Sequence, residues 1–174
     1  MKVLIHTCCV PCSIYCVETL QKENIEVTAF WYNPNIHLKN EYEKRKNTLI
    51  EYSKTINLNV IYKDIYGLKE FIKNTVENID KRCDYCYKTR LEQTAKTAKE
   101  NGFDGFSTTL LVSPYQNHEK LIEIANEMSK KYEIEFLYRD FRIGFREGQK
   151  KAKELDLYRQ KYCGCVFSEE ERYL

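Results

Sequence analysis

The chain reads as short apolar runs separated by longer amphipathic stretches. Lys2–His6 (KVLIH) has the look of a buried strand. Pro11 falls where a following helix starts, a position that tolerates proline. From Cys12 to Asn24, the residues Ile14, Val17 and Leu20 recur at helical spacing and predict a helix. Glu26–Tyr32 (EVTAFWY) is β-branched and aromatic and predicts a second strand, and Asn33–Asn35 (NPN) a loop. Leu38–Ile56 predicts a charged amphipathic helix, Asn59–Tyr62 a third strand, and Leu68–Val76 another helix. Arg82–Asn101 predicts a long helix ended by Gly102. Gly105–Val112 predicts a strand stopped by Ser113-Pro114. Asn117–Lys131 follows as a helix, Glu135–Tyr138 as a strand and Phe145–Leu155 as a helix, before a tail, YCGCVFS, with a short helical end.

Strands alternating with helices imply an α/β fold, a parallel sheet covered by helices on both faces. No internal repeat, low-complexity tract or linker divides residues 1–174, so one domain is expected. In such sheets ligands bind beyond the carboxyl ends of the strands. Cys8 and Cys9 directly follow the first strand and fall at that edge.

Composition narrows the chemistry. No run of about 18 apolar residues exists, so no transmembrane helix is expected. The N-terminal apolar segment is too short for a signal peptide and no small-residue cleavage site follows it. A cytoplasmic protein is therefore expected. In a reducing compartment, eight cysteines point to metal binding or redox chemistry rather than to a disulfide framework. A net charge of +2 neither demands nor excludes a nucleic-acid partner.

The cysteines fall in three groups: Cys8, Cys9, Cys12 and Cys16; Cys83 and Cys86; Cys163 and Cys165. Cys12 and Cys16 share a helix face at i, i+4 and read equally as core residues. Cys83-x-x-Cys86 is a spacing used by zinc, iron–sulfur clusters and redox dithiols. Adjacent Cys8 and Cys9 would have difficulty aiming at one ion, because successive side chains diverge. They can reach different corners of a cuboidal cluster. Cys8, Cys9, Cys83 and Cys86 thus match a four-cysteine iron–sulfur cluster better than a zinc site. Cys163-Gly164-Cys165 is too short for the usual zinc knuckle. It reads either as a redox-active dithiol, whose strained bond would be readily reduced, or as two more metal ligands.

Other residues carry weaker signals. His6 reads as a hydrogen-bonded histidine at a strand end, with metal ligation as the alternative. His37 and His118 lie among polar residues and are expected at the surface. Thr108, Thr109 and Ser113 can line a polar pocket, and Tyr115 can stack on a base. Arg139, Arg142, Arg146, Lys150 and Lys151, interleaved with Phe141 and Phe145, suit a phosphate-contacting surface. Neither a P-loop nor a G-x-G-x-x-G is present.

Six segments together resemble the cobalamin-independent epoxyqueuosine reductases: HTCCVPC, FWYNPNIHLKNEYEKR, RCDYCYKTRL, FSTTLLVSPYQ, YRDFRIGF and YRQKYCGCVFS. They span nearly the whole chain in matching order. The resemblance implies a Rossmann-like, nucleotide-hydrolase-like sheet. It implies the last step of queuosine synthesis, in which an epoxide on a modified tRNA base is deoxygenated to a cyclopentene. It further implies that Cys8, Cys9, Cys83 and Cys86 hold a [4Fe–4S] cluster, that Cys163 and Cys165 form a redox-active disulfide pair, and that a second iron lies nearby. The implied partners are tRNA carrying epoxyqueuosine and an external low-potential electron donor. Two rivals are a zinc-stabilised nucleic-acid-binding module and an ATP-dependent tRNA-thiolation enzyme, against which the missing phosphate loop weighs.

Overall fold

The computed structural model describes residues 1–174. At its centre lies β1 (Lys2–His6), with Val3, Leu4 and Ile5 fully buried, as a parallel strand covered on both faces requires. It pairs in parallel with β2 (Glu26–Trp31) on one side and β4 (Gly105–Thr108) on the other. β3 (Asn59–Tyr62) flanks β2 and β5 (Glu135–Phe136) flanks β4, both in parallel, giving the order β3-β2-β1-β4-β5. This is the parallel sheet expected from the alternation, in the Rossmann-like form that the resemblance implies.

Helices cover both faces. α1 (Val10–Lys22) packs on α2 (Lys39–Thr55) and on α6 (Phe145–Glu154). Gly148 makes the α1–α6 approach possible, since a Cβ there would lie 2.7 Å from the Pro11 carbonyl oxygen. On the other face, α4 (Arg82–Glu100) packs on α5 (His118–Tyr132), β1 and β4. α3 (Leu68–Thr75) leads through a 3-10 segment, Val76–Lys81, into α4, and α7 (Val166–Tyr173) ends the chain.

Two strands are shorter than their apolar runs. The fourth stops at Thr108 rather than Val112, because Thr108 Oγ1 accepts the Leu110 N–H at 3.2 Å and bends Thr109–Val112 into a 3-10 turn. Leu110, Leu111 and Val112 are buried in either conformation, so apolarity could not separate strand from turn. The fifth stops at Phe136, and Tyr138 instead shares a hydrogen bond with His118 at 3.0 Å.

The order of strands positions the site. From β1 the chain winds outward to β2 and β3, then crosses to β4 on the opposite side of β1. This reversal opens a crevice beyond the carboxyl ends of β1 and β4. Cys8 and Thr109 face each other there, with Sγ and Oγ1 3.9 Å apart.

Candidate thiol metal centre

Three sulfurs converge at the crevice. Cys8 lies in the turn after β1, Cys9 is the N-cap residue of α1, and Cys12 sits in its first turn. The ligand atoms of Cys8, Cys9 and Cys12 lie within 4.8 Å of one another, and all three residues are buried. The expected divergence of Cys8 and Cys9 is thus corrected: their sulfurs are 3.9 Å apart. Cys9 is extended at φ −164° and the helix begins immediately after it. A residue three positions past an N-cap folds back over the cap, which brings Cys12 to the same spot. Cys16 separates from the group. It is fully buried, and its thiol donates to the Cys12 carbonyl at 3.2 Å.

The three thiols differ in charge. Contacts with the Cys12 and Cys9 thiols pull Cys8 well below the usual thiol range, outweighing its burial. Burial pushes Cys9 up, and the bond to Cys8 pushes Cys12 up. Of the three, Cys8 is the one that most favours the thiolate. The Gln160 amide donates to Cys9 Sγ at 2.9 Å. His6 bridges Thr108 Oγ1 at 3.1 Å and Asn33 Oδ1 at 3.0 Å, as a hydrogen-bonded strand-end histidine should. Burial, then the Arg90 charge, lowers it to about 4, so it is neutral at pH 7.

A second set of thiols lies at the start of α4 and in the C-terminal segment, outside the 4.8 Å group. Cys86 is buried against Phe71 and Cys165, and burial pushes it up to about 12. Arg90, one helical turn on, donates to Cys86 Sγ at 3.0 Å. The charge of this buried guanidinium is felt at Cys86, Cys8 and Cys163, so both sets of thiols share one cation. Cys83 and Cys163 are exposed, and a charge on Cys163 would raise Cys83, an effect second only to burial. Gln116 Nε2 donates to Cys163 Sγ at 3.3 Å. Cys165 caps α7 by accepting the Ser168 N–H at 3.4 Å. All eight thiols are free.

The C-terminal segment is fastened from below. Buried Arg45 donates to the carbonyls of Cys163 at 2.8 Å and Tyr162 at 2.9 Å, and its Nε to Glu41 at 2.7 Å. Gly164, at φ +151°, gives its carbonyl to the His37 N–H at 2.7 Å. His37 is not a surface residue as expected but fully buried, and His118 is half-buried. The polar neighbours that suggested exposure of His37 are themselves turned inward: Asn33 and Asn35 are buried.

His37 also sets a pH limit. Nε2 bonds the Pro34 carbonyl at 3.0 Å and Nδ1 accepts the Val166 N–H at 3.4 Å, a pattern only the neutral ring satisfies. Burial lowers its pKa from 6.5 to about 4. Between those values the unfolded chain binds the proton that the folded chain excludes, so stability is full above pH 6.5 and is lost as pH falls towards 4. The melting temperature should drop across that interval, and drop less steeply in a His37→Gln variant.

The basic stretch near Phe141 is mostly neutralised. Arg139 pairs with Glu23 at 2.8 Å, Arg142 with Asp140 at 2.6 Å, and Lys151 with both Glu18 and Glu147. Exposed pairs of this kind add little stability, but they do remove free positive charge. Thr108, Thr109 and Ser113 are buried, whereas Tyr115 is exposed. Beside Cys86 and Arg90 lies an open-sided cleft walled by Tyr32, Asn35, Phe71 and Tyr85. Arg45, Arg90, Gln116 and Gln160 escaped the sequence reading. Arg45 had a signal, since Tyr42, Arg45, Leu49 and Tyr52 follow one helical face.

A family model described as "Epoxyqueuosine reductase QueH" matches residues 3–171. The chain belongs to that family. A protein named Epoxyqueuosine reductase QueH from Dehalococcoides mccartyi is 38% identical over 99% of this chain and 94% of its own length. One of the same name from Thermotoga maritima is 38% identical over 98% and 91%. A third, from Streptococcus pyogenes, is 33% identical over 96% and 70%. The site of this QueH family member suits a metal–thiolate centre. Its donors are soft sulfurs, with the thiolate favoured at Cys8, and the buried Arg90 and Arg45 offset the negative charge such a centre gathers. No helix is long and apolar enough to cross a membrane.

Proposed function

We propose that this chain is an epoxyqueuosine reductase, removing the epoxide oxygen of epoxyqueuosine in tRNA to leave the alkene of queuosine. The observation that carries this reading is the convergence of the buried sulfurs of Cys8, Cys9 and Cys12 at the β1/β4 crevice, in a chain of this family. Cys8 and Cys9 from β1–α1, with Cys83 and Cys86 from α4, are the four ligands of a [4Fe–4S] cluster, and Cys12 is left for a further iron. When bound, the cluster supplies electrons one at a time at low potential.

The chain's own groups complete the balance. Deoxygenating an epoxide to an alkene consumes two electrons and two protons and releases water. Cys163 and Cys165, as a dithiol closing to a disulfide, yield two electrons and two protons. Gln116 holds the Cys163 sulfur, and Arg45 holds the Cys163 carbonyl. An external low-potential reductant reopens the disulfide for the next turnover. The exposure of Cys83 and Cys163 supports an approach of tRNA from their side.

The test is anaerobic reconstitution with iron and sulfide, followed by assay on epoxyqueuosine-containing tRNA with a low-potential reductant. Cys83→Ala should lose both the brown chromophore and turnover. Cys163→Ala should keep most of the chromophore and lose multiple turnover. Full multiple-turnover activity in Cys163→Ala would remove the redox pair from the scheme. About one zinc per chain and no visible absorbance would favour a zinc-stabilised module instead.

A further inference from the structure

The loop before α5 sends one residue inward and its neighbour outward. Gln116 turns in: its amide donates to Cys163 Sγ at 3.3 Å, and its Oε1 accepts from Tyr87 Oη at 2.7 Å. Tyr115 turns out and is 84% exposed. Its ring meets Phe145 edge to face, with centroids 5.8 Å apart and planes at 81°. A ring this exposed keeps open π-surface despite that contact. The loop is framed rather than loose, since Ser113 Oγ accepts the Tyr115 N–H at 3.2 Å and Tyr87 Oη accepts the Asn117 N–H at 3.1 Å. Ile143, two residues before Phe145, is 86% exposed.

An outward aromatic on a fixed frame adds almost nothing to the core. It stands one residue from the amide that touches the exposed Cys163 thiol. Charge singles out the same place. Arg146, directly after Phe145, is exposed and forms no ion pair, while Arg139, Arg142 and Lys151 are each tied to a carboxylate. An open aromatic face, with an unneutralised arginine at the start of the helix that backs it, can receive an unpaired nucleotide: the ring takes the base and the cation the phosphate.

We propose that Tyr115, backed by Phe145 and flanked by Arg146, is the stacking platform for an unpaired tRNA base neighbouring the nucleotide that is reduced. This rests on the tRNA reading above. Stacking on one aromatic is worth about 1–3 kcal/mol, or roughly 5- to 150-fold in affinity.

The experiment uses the iron-loaded full chain and a fluorescein-labelled anticodon stem-loop RNA, read by anisotropy, with turnover measured on epoxyqueuosine-containing tRNA. Tyr115→Ala and Tyr115→Leu should each weaken binding about tenfold. Tyr115→Phe should stay within about twofold of wild type, because it keeps the π-face. KM should rise in Tyr115→Ala while kcat and melting temperature hold. Arg146→Gln should weaken binding and flatten its salt dependence. Wild-type affinity in Tyr115→Ala would overturn the platform, as would Tyr115→Phe binding as weakly as Tyr115→Ala. If wild type reduces tRNA and only these variant effects are missing, the platform alone fails. If wild type neither binds nor reduces tRNA, the functional reading and the platform fall together.

Discussion

A Cys8→Ser protein should hold no more than roughly a tenth of the wild-type iron after reconstitution and show no turnover, while Cys16→Ser keeps both. The contrast follows from what each sulfur touches. Cys8 is the thiol of the group that most favours the thiolate, since its contacts with the Cys12 and Cys9 thiols, helped by the Arg90 charge, outweigh burial. Thiolate is the form that binds metal, and a serine hydroxyl at the same position stays protonated. Cys16 is equally buried, yet its thiol is spent on the Cys12 carbonyl, a bond a hydroxyl can make as well. Cys12→Ser separates the two ligand sets: retained cluster absorbance with reduced iron per chain places Cys12 on a further iron, and full loss places it in the cluster itself. Iron and sulfide counts with an anaerobic absorption spectrum read all three variants. Wild-type iron in Cys8→Ser would show that the converging sulfurs are core packing only.

Arg45→Met should uncouple metal loading from turnover. The residue is 1% exposed and spends its guanidinium on Glu41 and on two carbonyls, those of Tyr162 and Cys163. Breaking a buried ion pair by removing one partner costs about 3–5 kcal/mol, because Glu41 stays behind uncompensated. The Tyr158 hydroxyl that also bonds Glu41 relieves part of that cost. Arg45 hydrogen-bonds none of the proposed cluster ligands, although its charge acts on Cys9 and Cys8, so iron content should fall far less than turnover. Cys163 would lose its fixed position, and turnover should fall at least tenfold or so, the penalty expected when a reacting group is misplaced. Thermal melting measures the stability loss, and hydrogen exchange of residues 160–168 reports the freed segment. Arg45→Lys serves as the milder variant if the methionine protein fails to fold. It keeps the charge but cannot fork between two carbonyls. Unchanged turnover in either variant would mean that the clamp plays no part in placing Cys163.

Much of this architecture was legible before any coordinates. The alternation of apolar runs with amphipathic stretches identified the parallel sheet, and the cysteines after β1 pointed to its carboxyl edge. Local rules sufficed there, since strand burial and helix periodicity are written into neighbouring residues. His6 was read correctly for the same reason, lying at the end of a strand beside polar partners. Where the reading went astray, an apolar or polar run had two structural uses. Leu110–Val112 is buried in a turn as completely as in a strand, and the polar stretch around His37 turned inward to meet the C-terminal segment.

By itself, then, the sequence determined the fold class, the family, and which edge of the sheet carries the thiols. Only the tertiary structure decided which thiols meet. Cys12 joins Cys8 and Cys9 because a helix starts at Val10 and folds its first turn back over the cap. Arg90 serves both sets of thiols, and Arg45 reaches across 118 positions to the carbonyl of Cys163. Such pairings depend on how distant segments dock in space, and spacing along the chain reports only on neighbours within a turn or a strand.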